Sequence, residues 1–336
     1  MKKGLKKVLK ISGFSLACIA GVIAFVITLT STIGAIAYNK FYSNSIKLFK
    51  IPGISEGYVA QGIEYLDDQK IYIMSSYNKN HNKASCLHVI ANDGKTKKEV
   101  KLLNQDGSNY IKHCGGVEAY GNFVYVAGKS QFDVFRLDEL LNANKGGAIK
   151  SIGAIDVHNN ASFIYLDKDT NIIYSGEFEK ESSGYKTDST HHLKTPCGDH
   201  NKALIIGYRL DESKEFGIDP VPVEAISIPS LAQGMCFTEK YAVMSTSWGI
   251  STSKFFYYDL SKMNVIGNIN ISGTEFNVPY YAFDSSNLVK VQKAPPMSEE
   301  LEYVDGRLVY LTESASNKYI FGKWTGGYYA RGLKVD

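Results

Sequence analysis

Apolar residues in this chain fall in short runs divided by Gly, Asn, Asp and Ser, and one small pattern recurs five times. The copies read Gln61-Gly62-Ile63-Glu64-Tyr65, Gly115-Gly116-Val117-Glu118-Ala119, Ala161-Ser162-Phe163-Ile164-Tyr165, Gln233-Gly234-Met235-Cys236-Phe237 and Glu299-Glu300-Leu301-Glu302-Tyr303. Each is followed by a tight turn and a second apolar run, at 70–74, 122–127, 172–175, 241–245 and 307–312. Short runs rich in Tyr, Val, Ile and Thr and bounded by turn residues predict strands, and each copy predicts a hairpin.

Further strands are predicted after each hairpin, including 86–91 and 99–103 around an Asn92-Asp93-Gly94 turn, whose residues tolerate positive φ. A short helix is predicted at 139–143 and an extra hairpin within 265–283. The copies recur at roughly 45–75 residues, a spacing suited to four-stranded units that cannot bury both faces alone. The expected architecture is an all-β, five-bladed β-propeller over residues 46–336, with six blades as the alternative and a β-sandwich as a third. Only three strands remain for the last blade, at 301–304, 308–312 and 319–323. Residues 46–51 (Ile-Lys-Leu-Phe-Lys-Ile) resemble the outer strand at 223–228 and are expected to supply the fourth, closing the ring.

The N-terminus changes the picture. Five Lys lie in residues 1–10, a basic tail, and residues 11–37 carry no charge. That run is long enough to cross a bilayer, with its C-terminal side outside the cytoplasm. A single-pass anchor is therefore expected at 11–37, with a stalk at 38–45; cleavage after Ala37 would instead release a secreted chain. Net charge is +3, and without the first ten residues 37 − 5 = 32 basic side chains face 34 acidic ones. No basic stripe suggests a nucleic-acid partner. Cys86, Cys114, Cys197 and Cys236 show no paired spacing and are expected as unpaired thiols, largely buried.

In such a ring, the starts of inner strands and the ends of second strands meet at one central depression. Gln61, Tyr77, His113, Asn160, Glu177, Phe178, Gln233, Trp248, Glu299 and Glu313 fall at those points and are the expected ligand-binding set. Tyr77, Phe178 and Trp248 offer flat faces to a ring-bearing ligand. Glu64, Glu118 and Glu302 occupy the fourth place in three copies, a column of carboxylates suited to Ca²⁺. His191, His192 and His200, with Cys197, share one long loop and form an alternative metal set, for Zn²⁺. His191 or His192 is also a candidate general base. No nucleophile elbow, HExxH, Walker loop or EF-hand loop is present, and 167–171 reads as a hairpin turn.

The repeat organisation resembles secreted or membrane-anchored bacterial β-propellers over roughly residues 45–325. Lactonase and strictosidine-synthase-like propellers are the enzymatic relatives. That resemblance implies a metal held at inner-strand starts, where only Glu299 and Asn160 have the matching side-chain type. Three roles follow as expectations: binding of a small molecule, glycan or envelope protein at the upper central face; metal-assisted hydrolysis there; or a cell-surface scaffold.

Overall fold

The computed structural model describes residues 16–26, 28, 36–319 and 322–335. Thirteen of the 27 residues of the apolar run 11–37, namely 11–15, 27 and 29–35, lie outside these residues. Among the described residues no helix is long and apolar enough to cross a membrane.

Residues 16–26 are helical; the described residues beyond them are mostly β, with short helical turns. Helix α1 (Asn39–Ser43) precedes β1 (Ser45–Lys50). The first hairpin unit then follows as β2 (Tyr58–Leu66), β3 (Ile71–Asn78), β4 (Cys86–Ala91) and β5 (Thr96–Leu103). Next come β6 (Val117–Tyr120), β7 (Phe123–Ala127), β8 (Lys129–Arg136), helix α2 (Leu137–Asn142) and β9 (Ala148–Lys150). The long β10 (Gly153–Asp167) leads to β11 (Ile172–Glu177), the two-residue β12 (Leu193–Lys194) and β13 (His200–Asn201), β14 (Ala203–Leu210) and β15 (Ile218–Ile228). The fourth unit holds β16 (Ala232–Phe237), β17 (Tyr241–Thr246), β18 (Ser253–Asp259), β19 (Gly267–Asn270), β20 (Asn277–Ala282) and β21 (Leu288–Ala294). The chain closes with β22 (Ser298–Val304), β23 (Arg307–Thr312) and β24 (Tyr329–Lys334).

Five antiparallel quartets emerge from the pairing. They are β2-β3-β4-β5, β6-β7-β8-β10, β10-β11-β14-β15, β16-β17-β18-β21 and β22-β23-β24-β1. β10 serves twice: Gly153–Asp156 pair with β8, and 161–167 pair with β11. Its double use fuses the second and third quartets into one sheet. The expected extra hairpin is present as β19-β20, and it adds in parallel to β15 as a sheet extension. β9 likewise extends the first quartet beside β5.

Burial explains the order within each quartet. β2 and β3 are buried at every position, whereas β5 is fully buried at only two positions and β21 at one. The inner strands touch in a closed series: β2 with β6, β6 with β10, β10 with β16, β16 with β22, and β22 with β2. The Asn92-Asp93-Gly94 turn forms, with Gly94 at φ +83°. A Cβ there would also come within 2.5 Å of the Leu48 carbonyl, so the turn fits under β1 only as glycine.

β1 pairs antiparallel with β24, Ser45 opposite Leu333 and Lys50 opposite Tyr329. The partner strand differs from the expected 319–323. Residues 322–325 form a 3-10 turn instead, and the strand begins at Tyr329 after Gly326 at φ +85°. The Gly326-Gly327 break displaced the sequence boundary. The expected stalk also packs down: Phe41 is buried edge-on against Phe255 and Tyr310, at 5.9 and 5.2 Å. All five cysteines are free; Cys86, Cys114 and Cys236 are buried, whereas Cys197 is exposed.

Candidate functional site

Four inner strands carry an irregularity at the same point. Register shifts fall between Ala60 and Ile63, Ala161 and Phe163, Ala232 and Gly234, and Ser298 and Leu301. Each bulge takes the opening residues of the repeat out of the strict in-out alternation and re-aims their side chains. The bulges surround Glu300, which is fully buried. Glu300 Oε2 accepts the N–H groups of Ile63 (2.7 Å) and Val117 (3.2 Å), and Oε1 accepts that of Ile164 (3.2 Å). One side chain thus ties four inner strands together. Gly62 and Gly116 make room for it, since a Cβ at either would lie 2.8 or 2.4 Å from a Glu300 oxygen.

Glu300 separates two ends of the axis. At the upper end, where inner strands begin, Gln61 Nε2 donates to Glu313 Oε2 at 3.2 Å. Lys318 Nζ bonds the Tyr77 hydroxyl, and its ammonium lies 4.9 Å from that ring's centre. His113 stacks on the same ring at 4.1 Å. Burial raises the Glu313 carboxyl to about 7, against the lowering pull of Lys318 and of hydrogen bonds from Tyr319 and Gln61. Glu299 is pushed well above the usual carboxylate range, by burial first and then by the Glu313 charge. Its Oε1 has no hydrogen-bond partner. Two neighbouring carboxyls out of water cannot both ionise cheaply, so this pair holds a proton near neutral pH.

An aromatic cluster adjoins that pair. Phe178 and Trp248 stack at 6.1 Å, and Tyr185 meets both edge-on at 5.3 and 5.9 Å. Phe178 is buried, but Trp248 is 37% and Tyr185 50% exposed, so the cluster presents open ring surface to solvent. Tyr185 also lies close enough to Tyr77 to contribute to the rise of the Tyr77 hydroxyl, after burial, Glu313 and Glu299. Phe178, Trp248 and Glu313 follow the ends of the second strands β11, β17 and β23, so the cluster and the carboxylates lie at the same end of the axis.

The expected binding set divides in the structure. Gln61, Tyr77, His113, Glu299 and Glu313 gather, with Phe178 and Trp248 beside them. Gln233 is tied to Ser247, Nε2 to Oγ at 3.2 Å. Glu177 turns inward: Oε2 accepts from Leu204 N–H and pairs with His191 Nδ1, both at 2.9 Å, and Asn160 reaches Oε1 through its backbone N–H. The three histidines do not converge. His191 is buried on Glu177, His192 Nε2 contacts Thr187, and His200 is exposed in β13. Among the described residues the groups close enough to share an ion are Glu64-Glu118-Glu302 and Cys197-Asp199-Asp284, neither with a histidine. Tyr185, Lys318 and Tyr319 were not singled out from sequence, because they lie in loops without the repeat. The adjacent Glu299-Glu300 pair at a strand start was the legible signal for Glu300.

At the lower end, Glu64, Glu118 and Glu302 converge as their repeated position requires, all buried. Lys168 Nζ, from the β10-β11 turn, reaches Glu64 Oε1 at 3.4 Å. That turn is closed by Asp167, which accepts from Asp169 N–H and Thr170 Oγ1. A cleft of about 320 Å³, lined by Glu64, Asp67, Asp68, Tyr120, Lys168 and Asn171 among others, opens this end to solvent.

No protein-family model matches the chain, and no curated protein matches it. Among solved structures, a GH43_1 enzyme from Xanthomonas citri is 10% identical, over 86% of this chain and 88% of that one, with a TM-score of 0.42. BamB from Moraxella catarrhalis is 8% identical over 82% and 85%, at 0.35. The periplasmic gluconolactonase PpgL of Pseudomonas aeruginosa is 10% identical over 75% and 64%, at 0.37. These neighbours are β-propeller-type proteins, alike at the level of the fold only.

Proposed function

We propose that the chain is a five-bladed β-propeller closed by β1, held at a membrane through residues 11–37, and that its upper mouth binds a saccharide. Five quartets and a closed series of five inner strands support the blade count. The uncharged run behind five Lys supports the anchor and a ring on the outer side of the membrane.

The observation that carries the binding reading is the partly exposed Trp248-Tyr185 pair, backed by buried Phe178, at the same end of the axis as Glu299, Glu313, Gln61 and Lys318. A sugar offers an apolar C–H face and a ring of hydroxyls, and this mouth offers aromatic faces and mixed donors and acceptors. Affinity electrophoresis of the full chain through gels containing soluble polysaccharides tests it. At least one polysaccharide should retard the wild type, and Trp248→Ala should remove the retardation while the fold survives, because Trp248 is partly exposed. Equal mobility of both proteins in every gel contradicts the reading.

A hydrolytic reading has its own support. Glu313, raised to about 7 beside Glu299, has the proton affinity of a general acid at neutral pH. The lower carboxylate column sits beyond Glu300, so a metal there does not reach the mouth. Hydrolysis would rest on Glu299 and Glu313 alone, and Glu313→Gln should abolish cleavage while retaining retardation in the gel.

A further inference from the structure

We infer that the lower end of the axis is a Ca²⁺ site formed by Glu64, Glu118 and Glu302, with Lys168 as a built-in competitor for it. This stands apart from the saccharide reading, because Glu300 lies between the two ends.

The geometry comes first. One oxygen of each carboxylate lies within 4.8 Å of the others. Oxygens around a single Ca²⁺ sit at 2.3–2.6 Å from it, so opposite ligands stand about 4.6–5.2 Å apart. The three groups are 0%, 1% and 8% exposed, and they come from three different inner strands. No single turn or local hydrogen-bonded motif accounts for their meeting.

Unpartnered atoms supply the independent signal. Glu118 is buried, yet no N–H or hydroxyl donor reaches Oε1 or Oε2, and none reaches Glu64 Oε2; the polar group beside Glu118 is the Glu64 carboxyl itself. A buried carboxylate with no donor is costly unless a cation or a proton answers it. Lys168 provides one positive charge to the cluster, at Glu64 Oε1, and is itself half exposed at the cleft. Its ammonium bonds Glu64 and the Tyr65 carbonyl and makes no bond to Glu118.

The chemistry chooses the ion. Three carboxylates give up to six hard oxygen donors, and the solvent-open cleft admits water for the remaining positions. Zn²⁺ favours nitrogen and sulfur ligands in a four-coordinate set; Cys236 occupies the equivalent repeat position, but its thiol is not among the groups that converge with the three carboxylates. Entry of Ca²⁺ draws Glu64 from Lys168 and lets the lysine swing into the cleft.

Equilibrium dialysis of metal-free, detergent-purified full-length protein against Ca²⁺ tests the site, with melting curves alongside. One ion should bind per chain and raise the melting temperature. Glu118→Gln should weaken binding about a hundredfold, since ligand charge sets affinity. Lys168→Met should tighten it by removing the competing cation, a result that a merely structural Lys168 would not give. No stoichiometric Ca²⁺ on the wild type, its carboxyls sharing protons instead, overturns the inference. Equal affinity in Glu118→Gln, or weaker binding in Lys168→Met, overturns it as well.

Discussion

At Glu313, two opposed effects compete. Burial favours the neutral carboxyl, while Lys318, Tyr319 and Gln61 favour the carboxylate, and burial prevails to leave the group at about 7. A carboxyl whose pKa is higher folded than unfolded binds protons more tightly in the native state. Its contribution to stability is present below the unfolded value near 4.5 and is lost as pH rises through about 7. Melting temperature should therefore fall between pH 5 and pH 8 by more in the wild type than in Glu313→Gln, which cannot ionise there. Identical slopes for the two proteins contradict this assignment. Glu313 was legible as a second-strand end in the sequence. Its raised proton affinity was not, because that depends on Lys318 and Tyr319, brought in by a later loop.

At the scale of the element, β1 carries the closure. Phe49 is buried in a cluster with Ile51, Tyr72, Val309 and Ala330, so one short strand joins the first quartet to the last. Its ring tilts against Tyr72 at 5.2 Å. Phe49→Ala should cost about 3–5 kcal/mol, read as a lower midpoint in urea unfolding of the full chain. It should also promote association, because a loosened β1 leaves the β24 edge open. A loss below about 1 kcal/mol would mean that β1 is an accessory strand rather than the closure. The pairing of 46–51 with the last sheet could be read from sequence by its likeness to 223–228. The partner strand could not, since two adjacent glycines at 326–327 hid where the final strand begins. The bulges were equally hidden, because a one-residue register shift leaves no mark on an apolar pattern this short.

For the whole molecule, the five-fold repeat of a polar step before an apolar run was the signal that mattered, and it was written at the axis. Glycines at the step admit Glu300, the fourth position places Glu64, Glu118 and Glu302 together, and the strand starts set Gln61 and Glu299 at the mouth. The long loop between β11 and β14 obeyed no repeat. Its histidines accordingly scattered, and its Tyr185 proved to be the residue that links the aromatic cluster to the mouth. This mouth is the proposed functional centre. The most direct test is a crystal structure of the protein soaked in a concentrated mixture of glucose, galactose, xylose and arabinose. A sugar ring stacked on Trp248 or Tyr185, with hydroxyls reaching Glu313 and Gln61, is the predicted result. Sugar bound only elsewhere, or a mouth that holds none while its aromatic faces remain open to solvent, would contradict the account.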